Sequence, residues 1–476
     1  MLKRILSVLI AVILMLSIAG CGNDVKSGIK TAPEEYYSCY FDRFGDEVMP
    51  IGGYVGPVPG FGYDGNYMPT QITDYQYKTV KECGLNFIID KHADYKNKPE
   101  EALLMLEHAD NNDVMVFVTD SYLFEVTDNT YNNPDLYTYT SLKDFKERVK
   151  AYSSYGSFAG LYGRDEPFGN MFDQLKQINN YFNQTFGSSK MLYMNSNSFQ
   201  CPVGWFGGGP NGTAEEREMT IEEYMTAWFE SFPTLGYYSY DTYPFITTNE
   251  GYIRPDIFEN YVLVKEFSEK YNVPFWTFMQ SAEELGANMR EPNRGEILWQ
   301  VSTALAFGAK GYTWYTYGVP PELTSIPEGK AGLIGRAGQK TERWYYAQEA
   351  NQQTAAVDHI LMKSVHKGTI QTLSGKYDTT NAVKMPQAEL DKLNGSFREV
   401  TSITGDNAIT GCFTYMGKTV LYVVNNSVTL DKAKVRVNFD GNYEFEVIQN
   451  AKSNVLVGDN VELTFAPGQG ALIAIH

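Results

Sequence analysis

Eight times between Met49 and Met362, a short run of apolar, β-branched or aromatic residues gives way to an amphipathic stretch that opens on helix-capping residues. No other feature restricts the fold as strongly, because such a strand-then-helix unit buries its strand in a parallel sheet with helices packed on it. The strand candidates are Met49–Val55, Leu85–Ile89, Val114–Thr119, Phe158–Gly163, Met191–Asn195, Gly236–Tyr240, Val273–Met279 and Gly311–Tyr315. Helix starts are legible between them. Pro99-Glu100-Glu101 places acids in a first turn, Thr220 with Glu223 forms a capping box, and Pro255-Asp256 opens a further helix. The run from Thr341 to about Met362 supplies the last one. Eight units over roughly 310 residues predict an α/β fold of the (β/α)₈ barrel type, with an open doubly wound sheet as the alternative if one strand is miscounted.

Past Ser364 the helical period stops. Short alternating stretches follow, at Gly411–Tyr415, Thr419–Val424, Lys434–Phe439, Tyr443–Ile448 and Val461–Phe465, separated by Gly, Asn and Asp turns. They predict a C-terminal antiparallel β-sandwich of roughly 110 residues. The expected division is a signal segment over 1–20, a polar tether over 21–40, the barrel over 41–363 and the β-sandwich over 364–476.

The amino end sets the expected address. Lys3 and Arg4 precede an apolar run from Ile5 to Ile18, short for a membrane span, and the run closes on Ile18-Ala19-Gly20-Cys21. This resembles a bacterial lipoprotein signal and implies an extracytoplasmic chain held to the membrane by a lipid on Cys21, its only membrane contact. An ordinary signal peptide that happens to contain a cysteine is the plainer alternative. With a net charge of −18 at pH 7, the chain repels nucleic acid phosphates and anionic lipid, so neither is expected as a partner.

The other cysteines, Cys39, Cys83, Cys201 and Cys412, stand singly and read as free thiols, and the five histidines show no HExxH spacing. No metal and no cofactor is expected. Aromatics make up 14% of the chain, which suits both a large core and a site where ring faces pack on sugar C–H groups.

In a (β/α)₈ barrel, chemistry takes place at the carboxyl ends of the strands. Strand four runs into Gly163-Arg164-Asp165-Glu166-Pro167, strand five into Asn195-Ser196-Asn197, and strand six into Tyr240-Asp241-Thr242-Tyr243-Pro244. Strand seven carries Trp276 and Gln280, with Glu283 and Glu284 just beyond, and strand eight carries Trp314 and Tyr317. Asp90 and His92 end strand two, and Asp120 ends strand three. Breaking a glycosidic bond needs a proton donor for the leaving oxygen and a second carboxylate, converging from different strands. These strand ends supply the residue types.

Here the chain resembles the secreted (β/α)₈ glycoside hydrolases related to clan A, through Asp165-Glu166-Pro167 and the segment Glu296 to Tyr317 with its Gly308-Ala309-Lys310-Gly311 entry to strand eight. The resemblance implies that Glu166, ending strand four, is the acid/base, and that an acid ending strand seven is the nucleophile. The chain departs from that pattern at strand seven, where Gln280 stands and an amide cannot attack. Asp241 ranks first as the second catalytic group, then Glu283, with Glu284 beside it in the same loop. Asp165 takes that place if the substrate carries an acetamido group whose own oxygen attacks, since adjacent Asp and Glu, and the Tyr240-Asp241 pair, also resemble the substrate-assisted glycosidases.

Trp276, Trp314, Tyr243, Asn195, Gln280 and Arg164 are the substrate-binding candidates, with core packing the other reading for the tryptophans and ion pairing for Arg164. The Gly-rich segment from Gln200 to Gly212, with Trp205, is expected to wall or lid the pocket. The function expected is an extracytoplasmic glycoside hydrolase acting on oligo- or polysaccharide. The alternative is a carbohydrate-binding lipoprotein, either a solute-binding protein or an inactive barrel. Oligomeric state is not legible.

Overall fold

The computed structural model describes residues 48–124, 141–199, 201–202, 204–247, 253–322, 330, 332–373 and 383–476. Cys21, Cys39 and the expected signal and tether lie outside the described residues, as does Gln200.

Eight parallel strands form the barrel: β1 (Ile51–Tyr54), β2 (Phe87–Asp90), β3 (Met115–Thr119), β4 (Phe158–Asp165), β5 (Met191–Asn195), β6 (Tyr238–Tyr240), β7 (Phe275–Gln280) and β8 (Tyr312–Tyr315). The hydrogen-bonded order is β5-β4-β3-β2-β1-β8-β7-β6. A parallel bridge between Ser196 and Tyr240 joins the two ends of that order and closes the ring. Every residue of β1, β2, β5, β6 and β7 is buried, as expected where side chains fill the barrel on one face and helices cover the other.

One helix follows each strand: α1 (Asp74–Glu82), α2 (Pro99–Asn111), α3 (Leu142–Val149), α4 (Phe172–Phe186), α5 (Ile221–Ser231), α6 (Ile257–Tyr271), α7 (Arg294–Ala306) and α8 (Glu342–Ala355). Their ends are set locally. Thr220 and Glu223 close a reciprocal capping box at α5, and Ser141 with Asp144 and Asn293 with Glu296 do the same at α3 and α7. Among the described residues no helix is long and apolar enough to cross a membrane.

The C-terminal strands are β9 (Val365–Thr372), β10 (Val400–Gly405), β11 (Ala408–Tyr415), β12 (Lys418–Asn425), β13 (Ala433–Gln449), β14 (Lys452–Phe465) and β15 (Gly470–Ile475). They make one antiparallel sheet in the order β9-β11-β12-β15-β13-β10, with β14 alongside β13. The sheet is continuous and curled, and residues from all seven strands, such as Ile370, Ile403, Cys412, Leu421, Phe445, Leu463 and Ile473, close round a second core. Two separate sequence candidates, Lys434–Phe439 and Tyr443–Ile448, are halves of β13, whose pairing with β14 shifts between Asn438 and Tyr443. The strands β9, β10 and β15 had no counterpart among the sequence candidates.

The sheet docks on α7, whose residues from Gly295 to Ala306 are all buried and which packs against β11, β12 and β15. Two glycines permit the approach. A Cβ on Gly411 would lie 2.0 Å from the Ala306 carbonyl, and one on Gly295 would lie 2.3 Å from the Val428 carbonyl. The Trp299 indole donates to Asn426 Oδ1 at 2.9 Å, and the buried Lys310 Nζ donates to the Ser364 carbonyl at 2.7 Å. Burial pushes the Lys310 amine down to about 7.

Candidate active site

The carboxyl ends of the strands surround a cleft of about 480 Å³, with acids on several sides and aromatic rings between them. Two local departures from regular strand geometry put Asp165 and Glu166 on its wall together. The register of β4 against β5 shifts between Tyr162 and Arg164, and Glu166 turns the chain with a left-handed φ of 44°. The Glu166 N–H still donates to the Asn195 carbonyl at 2.9 Å, so the turn is anchored to β5.

A network fixes the acids. Tyr54 Oη, ending β1, donates to Asp165 Oδ2 at 3.1 Å. Asn195 Nδ2 reaches Asp165 Oδ1 at 3.5 Å and Asp241 Oδ1 at 3.3 Å, while its Oδ1 accepts from Ser239 Oγ at 2.9 Å. The Asp241 and Glu166 carboxyls are hydrogen-bonded to each other, and the Ser198 N–H donates to Glu166. Desolvation, then the charge of Asp165, pushes Glu166 up to about 7. Glu166 is nonetheless exposed to the open cleft, where solvent screens part of that effect. Asp241 is buried, and burial followed by the charges of Glu166 and Asp165 drives it well above the usual carboxylate range. Two carboxyls in contact cannot both ionise cheaply, so the pair retains a proton near neutrality.

Beyond β7, Glu284 enters the same cleft and accepts from Tyr315 Oη at 2.7 Å. The Tyr315 ring stacks on Tyr54 at 6.0 Å and packs on Tyr243 at 5.3 Å, making an aromatic floor between Glu284 and Asp165. At the rim, Glu322 accepts from His92 Nε2 at 2.8 Å and pairs with Lys91 at 2.8 Å. Burial alone would lower His92, but its hydrogen bonds to Asp90 and Glu322 outweigh this and raise it to about 9. Arg164 lines a second hollow of about 690 Å³ that shares Tyr54, Asp165 and Glu166 with the cleft. A third hollow, of about 460 Å³, opens at the opposite end of the barrel beside Met115 and Met191, and no carboxylate is among its described lining residues. Among the described residues no group of three or more His, Cys, Asp or Glu could hold a metal ion.

Of the sequence candidates, the cleft gathers Glu166, Asp165, Asp241, Asn195 and Tyr243. Four others lie elsewhere. Trp276 is 1% exposed, stacked on Tyr237 at 4.9 Å inside the barrel, so it is core and not a sugar platform. Trp314 faces outward to α8, where its indole donates to Asn351 Oδ1 at 3.1 Å, and it too is buried. Gln280 is fully buried, with its amide spent on the backbone of Phe245 and Arg290, and it does not line the cleft. Glu283 turns to Lys330 at 3.2 Å and does not line the cleft; its neighbour Glu284 does.

Asp241 is in the site beside Glu166, as the carboxylate that ends β6. Asp120 is a structural acid, held by Arg148 at 2.8 Å and by Tyr152. The segment expected to wall or lid the pocket lines the cleft through Cys201, Pro202 and Trp205, and Gly169 and Asn170 donate to the carbonyls of Phe206 and Gly207 at 2.8 and 2.7 Å. Tyr54, Tyr315 and Glu322 escaped the sequence reading. The first two are the last residues of β1 and β8, so a survey of all eight strand ends finds them; Glu322 carries no such mark.

No family model matches this chain, and no curated protein matches it. Among solved structures, it is similar to a GH30 endoxylanase from Clostridium papyrosolvens, with 11% identity, 94% of this chain and 100% of that one covered, and a TM-score of 0.43. It is also similar to an α-amylase from Geobacillus thermoleovorans, with 9% identity, 90% and 98% covered, and a TM-score of 0.49. For an α-amylase from H. orenii the values are 10% identity, 90% and 100% covered, and a TM-score of 0.48. The chain is a (β/α)₈ barrel with a curled C-terminal antiparallel sheet, and what its cleft does rests on its own residues.

Proposed function

We propose that this chain is a glycoside hydrolase that acts outside the cytoplasm, anchored by lipid on Cys21, with Glu166 as the general acid/base. One observation carries the reading: a carboxyl raised to about 7 stands at the end of β4 in a cleft of acids and aromatic rings. Such a group is protonated often enough at neutral pH to donate, and near enough to its transition to accept the proton back.

Glu284, three strands further round the mouth and oriented by Tyr315, is the second carboxylate. As the glycosidic C–O bond breaks, its electrons go to the leaving oxygen, which takes the Glu166 proton while a Glu284 oxygen bonds to the anomeric carbon. Water then attacks that carbon, gives its proton to Glu166 and frees Glu284. Asp241 and Asn195 hold the acid and its neighbour Asp165 in place and touch the reacting atoms less directly.

Hydrolysis of a panel of defined oligosaccharides, with the anomer of the first product identified, tests this reading. Retention is the expected outcome, and absence of cleavage on every linkage class overturns it. A closed barrel has no cleft between two lobes, which leaves the inactive glycan-binding barrel as the second reading. Gln280, locked to backbone where a strand-seven acid would stand, is the observation in its favour.

A further inference from the structure

Six tryptophans occur in the chain, and five are sealed in: Trp228, Trp276 and Trp299 are 1% exposed, Trp314 is 0% and Trp344 is 2%. Trp205 is the exception. It is partly exposed and lines the same cleft as Glu166, Asp241 and Glu284.

The backbone under Trp205 is held on both sides. Its N–H donates to the Pro202 carbonyl at 3.0 Å, and its carbonyl accepts from Gly209 at 2.8 Å. The following glycines lie flat against their neighbours, since a Cβ on Gly207 would come 2.2 Å from the Glu216 carbonyl and one on Gly209 would come 2.3 Å from the Phe168 ring. Gly209 also adopts a φ of 65°, which glycine takes without strain. Phe206, beside Trp205, packs on Tyr224 at 5.5 Å. The chain therefore spends close packing and several hydrogen bonds to hold a large indole where water reaches it, which is the arrangement of a preorganised binding surface.

We infer that Trp205 is a substrate platform in this cleft, on which a pyranose rests its apolar C–H face while its hydroxyls turn toward the acids and tyrosines. This rests on the cleft being a sugar site and adds what part of the sugar is read there. The ligand class is a neutral hexopyranose or pentopyranose with one face of axial C–H bonds, in preference to furanosides and to uronates, which would meet Asp165 and Glu284.

Because the other five indoles are shielded, acrylamide quenching of the full-length protein reads Trp205. The probes are short gluco-, xylo-, manno-, galacto- and N-acetylglucosamine oligosaccharides, each added to wild type and to Glu166→Gln. At least one probe is expected to protect the fluorescence saturably. Trp205→Ala should then weaken that probe or raise its KM about tenfold, with kcat on a small aryl glycoside changed far less, and Trp205→Phe should recover most of the loss. Hydrolysis without protection, or an unchanged KM in Trp205→Ala, overturns the inference and leaves the hydrolase reading standing. Protection without hydrolysis does the reverse, and a panel that neither protects nor is cleaved counts against both.

Discussion

The carboxyl groups of Glu166 and Asp241 are hydrogen-bonded to one another, brought together from the ends of β4 and β6. Burial, then the charges of Glu166 and Asp165, makes ionisation of Asp241 costly. Glu166 holds its proton to about 7 through desolvation and the charge of Asp165, and the hydrogen bond to Asp241 works in the opposite sense.

Replacing Glu166 with Gln is expected to lower the rate on glycosides with poor leaving groups by roughly 10²-fold or more, the usual size of general acid catalysis. An activated aryl glycoside, whose leaving oxygen needs little protonation, should lose far less in the step that releases the aryl group. Equal activity of the variant and wild type on an unactivated glycoside would remove Glu166 from the reaction.

The raised carboxyls make both rate and stability fall with rising pH. With Glu166 as the proposed general acid, its protonated form is the active one, so kcat/KM should decline as pH passes about 7. For stability, the folded protein keeps protons on Glu166 and Asp241 that the unfolded chain has released above the ordinary carboxylate range. The contribution of each is full below that range and is lost as pH rises through its raised value, which for Glu166 is about 7. Melting temperatures measured across this window should fall for wild type and stay flatter for Glu166→Gln; parallel curves for the two proteins would contradict a raised Glu166 carboxyl.

Adjacent acids beyond β7 should behave differently. Glu284→Ala is expected to cost at least about 10³-fold in kcat, and added azide should restore turnover of an activated aryl glycoside as a glycosyl azide of inverted configuration. Glu283→Gln removes a partly exposed pair with Lys330 and should leave kcat within a few-fold of wild type. A large loss in Glu283→Gln with a mild one in Glu284→Ala would reverse the assignment.

Trp276→Ala should destabilise the barrel by about 3–5 kcal/mol, as for other buried aromatic truncations, while sugar affinity of the folded fraction stays unchanged. Denaturant unfolding measures the first and a binding titration the second. A selective loss of affinity at wild-type stability would return Trp276 to the site.

Cys21→Ser should release the processed protein from the membrane without loss of hydrolysis, because one sulfur is the expected attachment point. Detergent phase partitioning checks this, and a variant that still enters the detergent phase would require another anchor.

The barrel was legible because each of its strands is a short apolar run followed by a capped helix, and the capping box at Thr220 appears where the sequence put it. The curled sheet was harder. Gly470–Ile475 is buried throughout and lacks the alternation that marks a half-buried strand, and β13 bends past a register shift that reads in sequence as a turn. Within the site, strand ends could be named but side-chain direction could not. Trp276 and Trp314 are both strand residues of the same type, and one points into the barrel while the other points to α8. Glu283 and Glu284 differ only in which way a single turn presents them, a matter of backbone geometry that composition does not record.

Helix α7 has no face turned to water. In an eight-helix shell every helix normally offers one polar side to solvent, whereas here the sheet covers that side from Gly295 to Ala306. Severing the chain before Val365 would strip the cover from that helix and leave the Trp299 indole without Asn426. The barrel and the sheet therefore share one interior at this helix: the strands that cover α7 on one side meet, through it, the β7 that it packs against on the other.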